Sequence, residues 1–203
     1  MMRNKLARGF ARTLKSLVGK RCWGVVAGEG TGSVFVLDFG RKIPQARPIA
    51  NPHLTLDQRR YKGELSLMVR CAWRIDAKQS VVCGWNDSSR NDGPMVRGLK
   101  SLVNTSVKAV TIEPPAMDLT IRFASRTLRV FCDQTVRESG QENYWITSVL
   151  VGRLYAVGPR GRLTMDELSE GPDRPRLRAV QSQKGARGQA EVRSPPKTTT
   201  AQD

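Results

Sequence analysis

The chain repeats itself. Arg12-Thr13-Leu14-Lys15-Ser16-Leu17-Val18 recurs as Arg97-Gly98-Leu99-Lys100-Ser101-Leu102-Val103, with Leu-Lys-Ser-Leu-Val identical at an offset of 85 (99 − 14). The same offset carries Val25 onto Val110, and one fewer carries Leu37 and Phe39 onto Ile121 and Phe123. Further on, Leu67, Val69 and Cys71 fall on Leu128, Val130 and Cys132 at an offset of 61 (128 − 67). Apolar positions that keep phase on both sides of an identity are hard to obtain by chance, and a duplicated unit has to bury the same face twice. The pattern predicts an α+β fold, mainly antiparallel β. Two tandem helix-plus-β-sheet repeats would pack as one pseudo-symmetric domain, with repeat 1 over 1–90, repeat 2 over 91–161 and a disordered basic tail over 162–203.

Within each repeat the periods are distinct. Leu6, Phe10, Leu14, Leu17 and Val18 form one face of an amphipathic helix, with Arg8 and Arg12 among the other positions. An acid-free, arginine-bearing first helix would by itself suggest a targeting peptide. Its recurrence at 95–103, behind Asp92-Gly93-Pro94, makes it part of the fold instead. Strands are expected near 23–27, 33–39, 64–75 and 80–85, then near 106–112, 119–123, 127–132, 144–148 and 153–157. The clearest is 64–75, where Leu65, Leu67, Val69, Cys71, Trp73 and Ile75 point one way and Arg70 and Arg74 the other. From 162 onward Pro, Gly, Arg, Gln and Thr dominate, and too little apolar surface remains to offset ordering entropy.

The drop in offset from 84 to 61 places an insert at 41–62 of repeat 1. Pro44, Pro48 and Pro52 make its first part extended and irregular, and Thr55 with Gln58 has capping-box spacing for a short helix through Arg59, Arg60 and Tyr61. Long inserts in small domains often carry function. This one gathers Arg41, Lys42, Arg47, His53, Arg59, Arg60 and Lys62, which with Arg8 and Arg12 of the first helix make the candidate surface for a partner or polyanion. The plain alternative is a solvated excursion that covers a sheet edge.

Charge supports that choice. Of 203 residues, 34 are Lys or Arg and 18 Asp or Glu, for a net charge of +16, and residues 1–21 hold seven basic residues and no acid. Such a field favours acidic proteins or nucleic acid. No run of about 18 apolar residues exists for a membrane span, and no apolar stretch follows the basic start to make a secretory signal. The four cysteines are widely spaced, with no Cys-x-x-Cys pair and His53 as the one histidine, so no zinc site is expected. All four read as reduced, buried thiols of a cytoplasmic protein.

Catalytic readings fare poorly. Gly28-Glu29-Gly30-Thr31-Gly32-Ser33 lacks the lysine and the following helix of a phosphate loop and reads as a hairpin connection. Asp76-Ala77-Lys78 has the form of a metal-dependent nuclease motif, with Asp57 or Glu64 as partner, yet is ordinary turn composition. Cys–His catalysis would need His53 beside a cysteine on a core strand. Asp87 and Asp92 lie in a turn-like stretch without EF-hand spacing. No cofactor, metal or small-molecule ligand is expected.

Leu67-Met68-Val69-Arg70-Cys71-Ala72-Trp73-Arg74-Ile75, followed by Val81-Val82-Cys83-Gly84-Trp85-Asn86-Asp87, resembles a pattern in small uncharacterised bacterial proteins with a duplicated β-rich half. Leu128 to Cys132, followed by Tyr144-Trp145-Ile146, is similar to their second half. The resemblance spans about residues 12–160, rests on packing positions and implies a binding protein with an immunity or defence role. Immunity proteins are commonly acidic, and this chain is not. The expected function is a non-enzymatic binding protein acting through a protein partner. The alternative is a nucleic-acid-binding accessory protein.

Overall fold

A computed structural model of the chain describes residues 2–135 and 142–168, which fall within one compact unit. The first helix, α1 (Met2–Lys15), buries Phe10, Leu14 and the following Leu17, and ends in Arg12 and Lys15, cations suited to a helix C-terminus. Strands β1 (Cys22–Gly28) and β2 (Gly32–Pro44) follow as a hairpin. Then come α2 (Leu56–Arg60), β3 (Tyr61–Val69), β4 (Ala72–Asp76) and β5 (Val81–Gly84). The second half holds α3 (Pro94–Lys100), β6 (Ala109–Glu113), β7 (Asp118–Arg122), β8 (Thr127–Phe131), β9 (Tyr144–Ser148), β10 (Arg153–Gly158) and β11 (Arg162–Glu167).

Among the described residues all pairings are antiparallel and form two sheets, one in the order β1-β2-β3-β9-β10-β11 and one in the order β5-β4-β8-β7-β6. Neither sheet is confined to one side of residue 90: β9 and β10 extend β1–β3, while β4 and β5 extend β6–β8. Alternate residues of both sheets feed one core, where Phe35 meets Trp73 edge-on at 4.9 Å and Phe10 lies 6.0 Å from Tyr155. Helix α1 lies against β6, β9 and β11, and α3 against β1 and β5.

Residues matched in the sequence hold matched hydrogen bonds. Ser16 N donates to Arg12 O at 3.0 Å and Ser101 N to Arg97 O at 3.0 Å. The two serine hydroxyls donate to Thr13 O and Gly98 O, again 85 apart, at 2.7 and 2.6 Å. In the ladders, β2 and β3 set Phe35 opposite Val69 and Leu37 opposite Leu67, and β7 and β8 set Leu119 opposite Val130 and Ile121 opposite Leu128.

Two expectations change. The strand read as 64–75 breaks at Arg70 and Cys71, so that β3 belongs to one sheet and β4 to the other. Both amides at this corner donate to Asn143 O, at 2.9 and 3.2 Å, and the inward phase survives the turn: Leu65, Leu67, Val69, Cys71, Trp73 and Ile75 are all buried. Residues 162–167, placed with the tail by composition, form β11 instead. The strand is held by a full ladder to β10 from Gly158↔Arg162 to Arg153↔Glu167, with Leu163 packed against the core. Backbone pairing of this kind leaves little mark on hydrophobicity. The remainder of the expected tail, 169–203, lies outside the described residues.

Candidate functional site

The insert becomes a lengthened β2–β3 hairpin topped by a loop and α2. Gly40 bends β2 with φ 73 and donates its amide to Arg21 O at 3.0 Å, and the register slips between Phe39 and Lys42. That bulge turns Arg41 N toward Glu64 Oε2 at 3.2 Å. Buried Glu64 also accepts from Lys20 Nζ at 2.8 Å and faces Arg41 Nε at 3.6 Å. The Lys20 hydrogen bond, outweighing burial, holds the Glu64 carboxyl below its ordinary range. Arg41 is thus tied to the fold.

Lys42 is tied as well, 2.6 Å from Asp57 and 5.2 Å over the Trp23 ring. Arg59 pins the loop: its Nε donates to Ile49 O at 3.1 Å while Ile49 N donates to Arg59 O at 2.9 Å. The capping box at Thr55 and Gln58 is complete, and Gln58 Nε2 reaches Val25 O on β1 at 2.6 Å. The excursion therefore covers part of the β1 edge. Arg47, His53, Arg60 and Lys62 are exposed, and among the described residues their side chains have no hydrogen-bond or ion-pair partner. Arg8 is exposed and bonds Asn4 Oδ1 at 3.2 Å, and Arg12 is exposed. Helix α1 packs against β6, β9 and β11, whereas α2 packs against β3 and reaches β1 through Gln58, so the two groups of candidate residues stand on elements that meet different strands.

The other motifs have structural duties. Asp76 accepts from Arg74 Nε at 2.9 Å and Arg129 Nε at 2.8 Å, and Ala77 N closes the β4–β5 turn onto Ser80 O. Asp87 caps Gly84 N at 2.8 Å. Thr31 Oγ1 closes the Gly28–Gly32 turn of the first hairpin at 3.1 Å. All four cysteines are free and buried. Burial, with the Asp38 carboxylate adding to it, pushes the Cys22 thiol up to about 12; burial likewise lifts Cys83 to about 11. Among the described residues no three His, Cys, Asp or Glu groups gather where a metal ion would fit, and no helix is long and apolar enough to cross a membrane.

One feature escaped sequence reasoning. A cleft of about 350 Å³ opens on the five-stranded sheet between Arg74, Val81, Trp85 and Phe131. Arg74 lies over the Phe131 ring at 5.4 Å, and Trp85 is 46% exposed. The alternation of β4 had already turned Arg74 outward; the neighbours that make a cleft of it arrive from β5 and β8.

The sequence matches no protein-family model, and no curated protein or solved structure is detectably similar to it.

Proposed function

We propose that the chain is a non-enzymatic binding protein that acts through a protein partner with an acidic surface. The observation that carries this reading is a division of labour among charges. Buried or bridging acids such as Asp38, Glu64 and Asp76 are spent on internal hydrogen bonds. Arg47, Arg60 and Lys62 instead project from a hairpin whose loop is pinned by Arg59 and Gln58. A pre-ordered cationic projection steers an acidic partner at little ordering cost. On this reading the protein sits in a reducing compartment such as the cytoplasm, consistent with four unpaired, buried thiols. The resemblance drawn from its packing residues attaches an immunity or defence role to the same proposal.

The two halves are, in this reading, duplicated units that exchange their last hairpins. Each sheet then carries three strands of one unit followed by two of the other, with β11 added at the edge of the six-stranded sheet, and the matched ladders express one ancestral register.

The test is cross-linked capture from the native host with the full chain and with the charge-reversed variant Arg60→Glu/Lys62→Glu. A stoichiometric protein held by the first and released by the second is the expected result. Recovery of none, or retention by both, overturns the reading. A second reading, nucleic acid as the partner, is favoured by one specific observation: the arginine-bearing outer face of the five-stranded sheet.

A further inference from the structure

We propose that the outer face of the five-stranded sheet binds single-stranded nucleic acid, with a base stacked in the Trp85–Phe131 cleft and phosphates held by arginines of the same face. The proposal rests on the nucleic-acid reading above and gives it a site distinct from the basic excursion.

Strand alternation sets the face. In β4, β7 and β8 the residues Trp73, Ile75, Leu119, Ile121, Leu128 and Val130 are buried, so their neighbours Arg74, Thr120, Arg122, Arg129 and Phe131 turn to the opposite side. Register then brings the cations together. Arg74 stands opposite Arg129, and Arg122 stands opposite Thr127, two residues from Arg129. Three adjacent strands at about 4.8 Å spacing thus each carry one outward arginine, the outer two strands lying roughly 10 Å apart. Asp76 serves both Arg74 and Arg129, Asp118 and Glu113 stand at one end of the same face and Asp87 lines the cleft, so the cation free to meet a phosphate is Arg122, which is exposed with no side-chain partner among the described residues.

The aromatic part adjoins this cluster. Phe131 pairs with Ala72 beside Arg74, whose guanidinium covers one ring, and the half-exposed Trp85 indole lines the same cleft. A large aromatic left half in water beside an open cleft is a surface that gains from being covered. Flat rings next to arginines are the composition that stacks bases and tracks phosphates without reading sequence. The cleft, near the small end of the range for ligand sites, suits one ring system.

The corresponding row of the other sheet lacks the facing arginine pair, although Arg70 lies over its Trp145 ring at 5.8 Å. There a single register row runs Val26, Val36, Met68, Trp145 and Ala156 across five strands. At the matched positions of the five-stranded sheet the row reads Thr111, Thr120, Arg129, Arg74 and Gly84.

Full-length protein would be titrated with fluorescein-labelled oligo-dT and oligo-rU by anisotropy across salt concentration, with base-free polyphosphate as the control polyanion. Trp85→Ala is expected to weaken binding about tenfold and Trp85→Phe much less, since a ring remains to stack on. Arg122→Ala is expected to lower the salt slope by about 0.7. Arg60→Ala/Lys62→Ala is expected to leave both unchanged. If the oligonucleotides bind but Trp85→Ala binds as tightly as the parent, or polyphosphate binds as tightly as the oligonucleotides, the cleft is excluded while the nucleic-acid reading stands. If no oligonucleotide binds even at low salt, both fall.

Discussion

Gly19 and Asn104, 85 positions apart, follow the two helices in the same left-handed conformation, with φ 81 and 67, and each donates its amide to the segment that leads from the other's turn. Gly19 N reaches Val107 O at 2.8 Å, and Asn104 N reaches Cys22 O at 2.7 Å. Val107 N and Cys22 N return the exchange to Lys20 O and Thr105 O at 3.0 and 2.8 Å, around the bridge of Arg21 with Ser106. Left-handed backbone is free for glycine, tolerable for asparagine and costs other residues about 1–2 kcal/mol. A methyl on Gly19 would meet no atom within 4 Å, so any loss there is conformational. Gly19→Ala is expected to lower stability by about 1 kcal/mol in urea denaturation, Gly19→Asn by less, and Asn104→Gly to be near neutral. Equal losses for Gly19→Ala and Gly19→Asn would contradict this account.

Gly98 decides how closely α3 approaches β5. In an exposed helix interior, alanine would gain about 1 kcal/mol over glycine. Here an added methyl would run into Cys83 Sγ and lie 3.2 Å from its Cβ. Gly98→Ala is therefore expected to destabilise by about 1–3 kcal/mol through overpacking. The double variant Gly98→Ala/Cys83→Ala should recover part of the loss, because the two side chains compete for one space. Strict additivity in thermal denaturation would show that they do not.

How much of this was legible in the sequence depends on the length scale. The run from Leu65 to Ile75 announced its buried face, because alternation is local. It hid the change of sheet at Arg70 and Cys71, because the corner is set by Asn143, more than seventy positions away. The capping box at Thr55 and Gln58 could be read directly; the bond from Gln58 to Val25 on β1 could not. The basic insert stood out by composition. Which of its cations are engaged is decided by a bulge that aims Arg41 at Glu64 and by α2, which sets Asp57 beside Lys42. The Trp85 cleft left no local signal, since its parts meet only through the pairing of β4 with β5 and β8. The short ladder that makes β11 a strand involves backbone atoms that every residue carries.

Glu64 and Asp38 should pull acid stability in opposite directions. Lys20 holds the folded Glu64 carboxyl below its ordinary value, so the stabilisation from Glu64 is full above the ordinary carboxylate range and fades as pH falls through the folded value. Burial raises Asp38, only partly offset by hydrogen bonds from Ser66 and Gly63 N. Its ionised form therefore detracts from stability near neutral pH, and that loss is relieved as pH falls through its raised value. Glu64→Gln is expected to cost about 1–3 kcal/mol at neutral pH and to flatten the acid limb. Asp38→Asn should cost little at neutral pH, since an amide oxygen can still accept from Gly63 and Ser66. Urea titrations from neutral to mildly acidic pH measure both, and a neutral Glu64→Gln would contradict the assignment of Glu64 as the anchor of the bulge.

The thiols offer a readout of how the two sheets open. Cys22 and Cys83 are raised to about 12 and 11, chiefly by burial, and Cys132 is raised with its hydrogen bond to Cys71 as the largest cause. Alkylation requires thiolate and access, and the native state withholds both. At mildly alkaline pH, iodoacetamide is expected to label the folded chain only through opening, with a rate that rises steeply with urea. All four cysteines should react at once when denaturant is saturating. The order of labelling is informative as well. Cys83, at the edge strand β5 beneath α3, should react before Cys22, which hydrogen bonds secure on both sides. Labelling of any thiol in the absence of urea at the rate of free cysteine would mean that its strand opens independently of the common core.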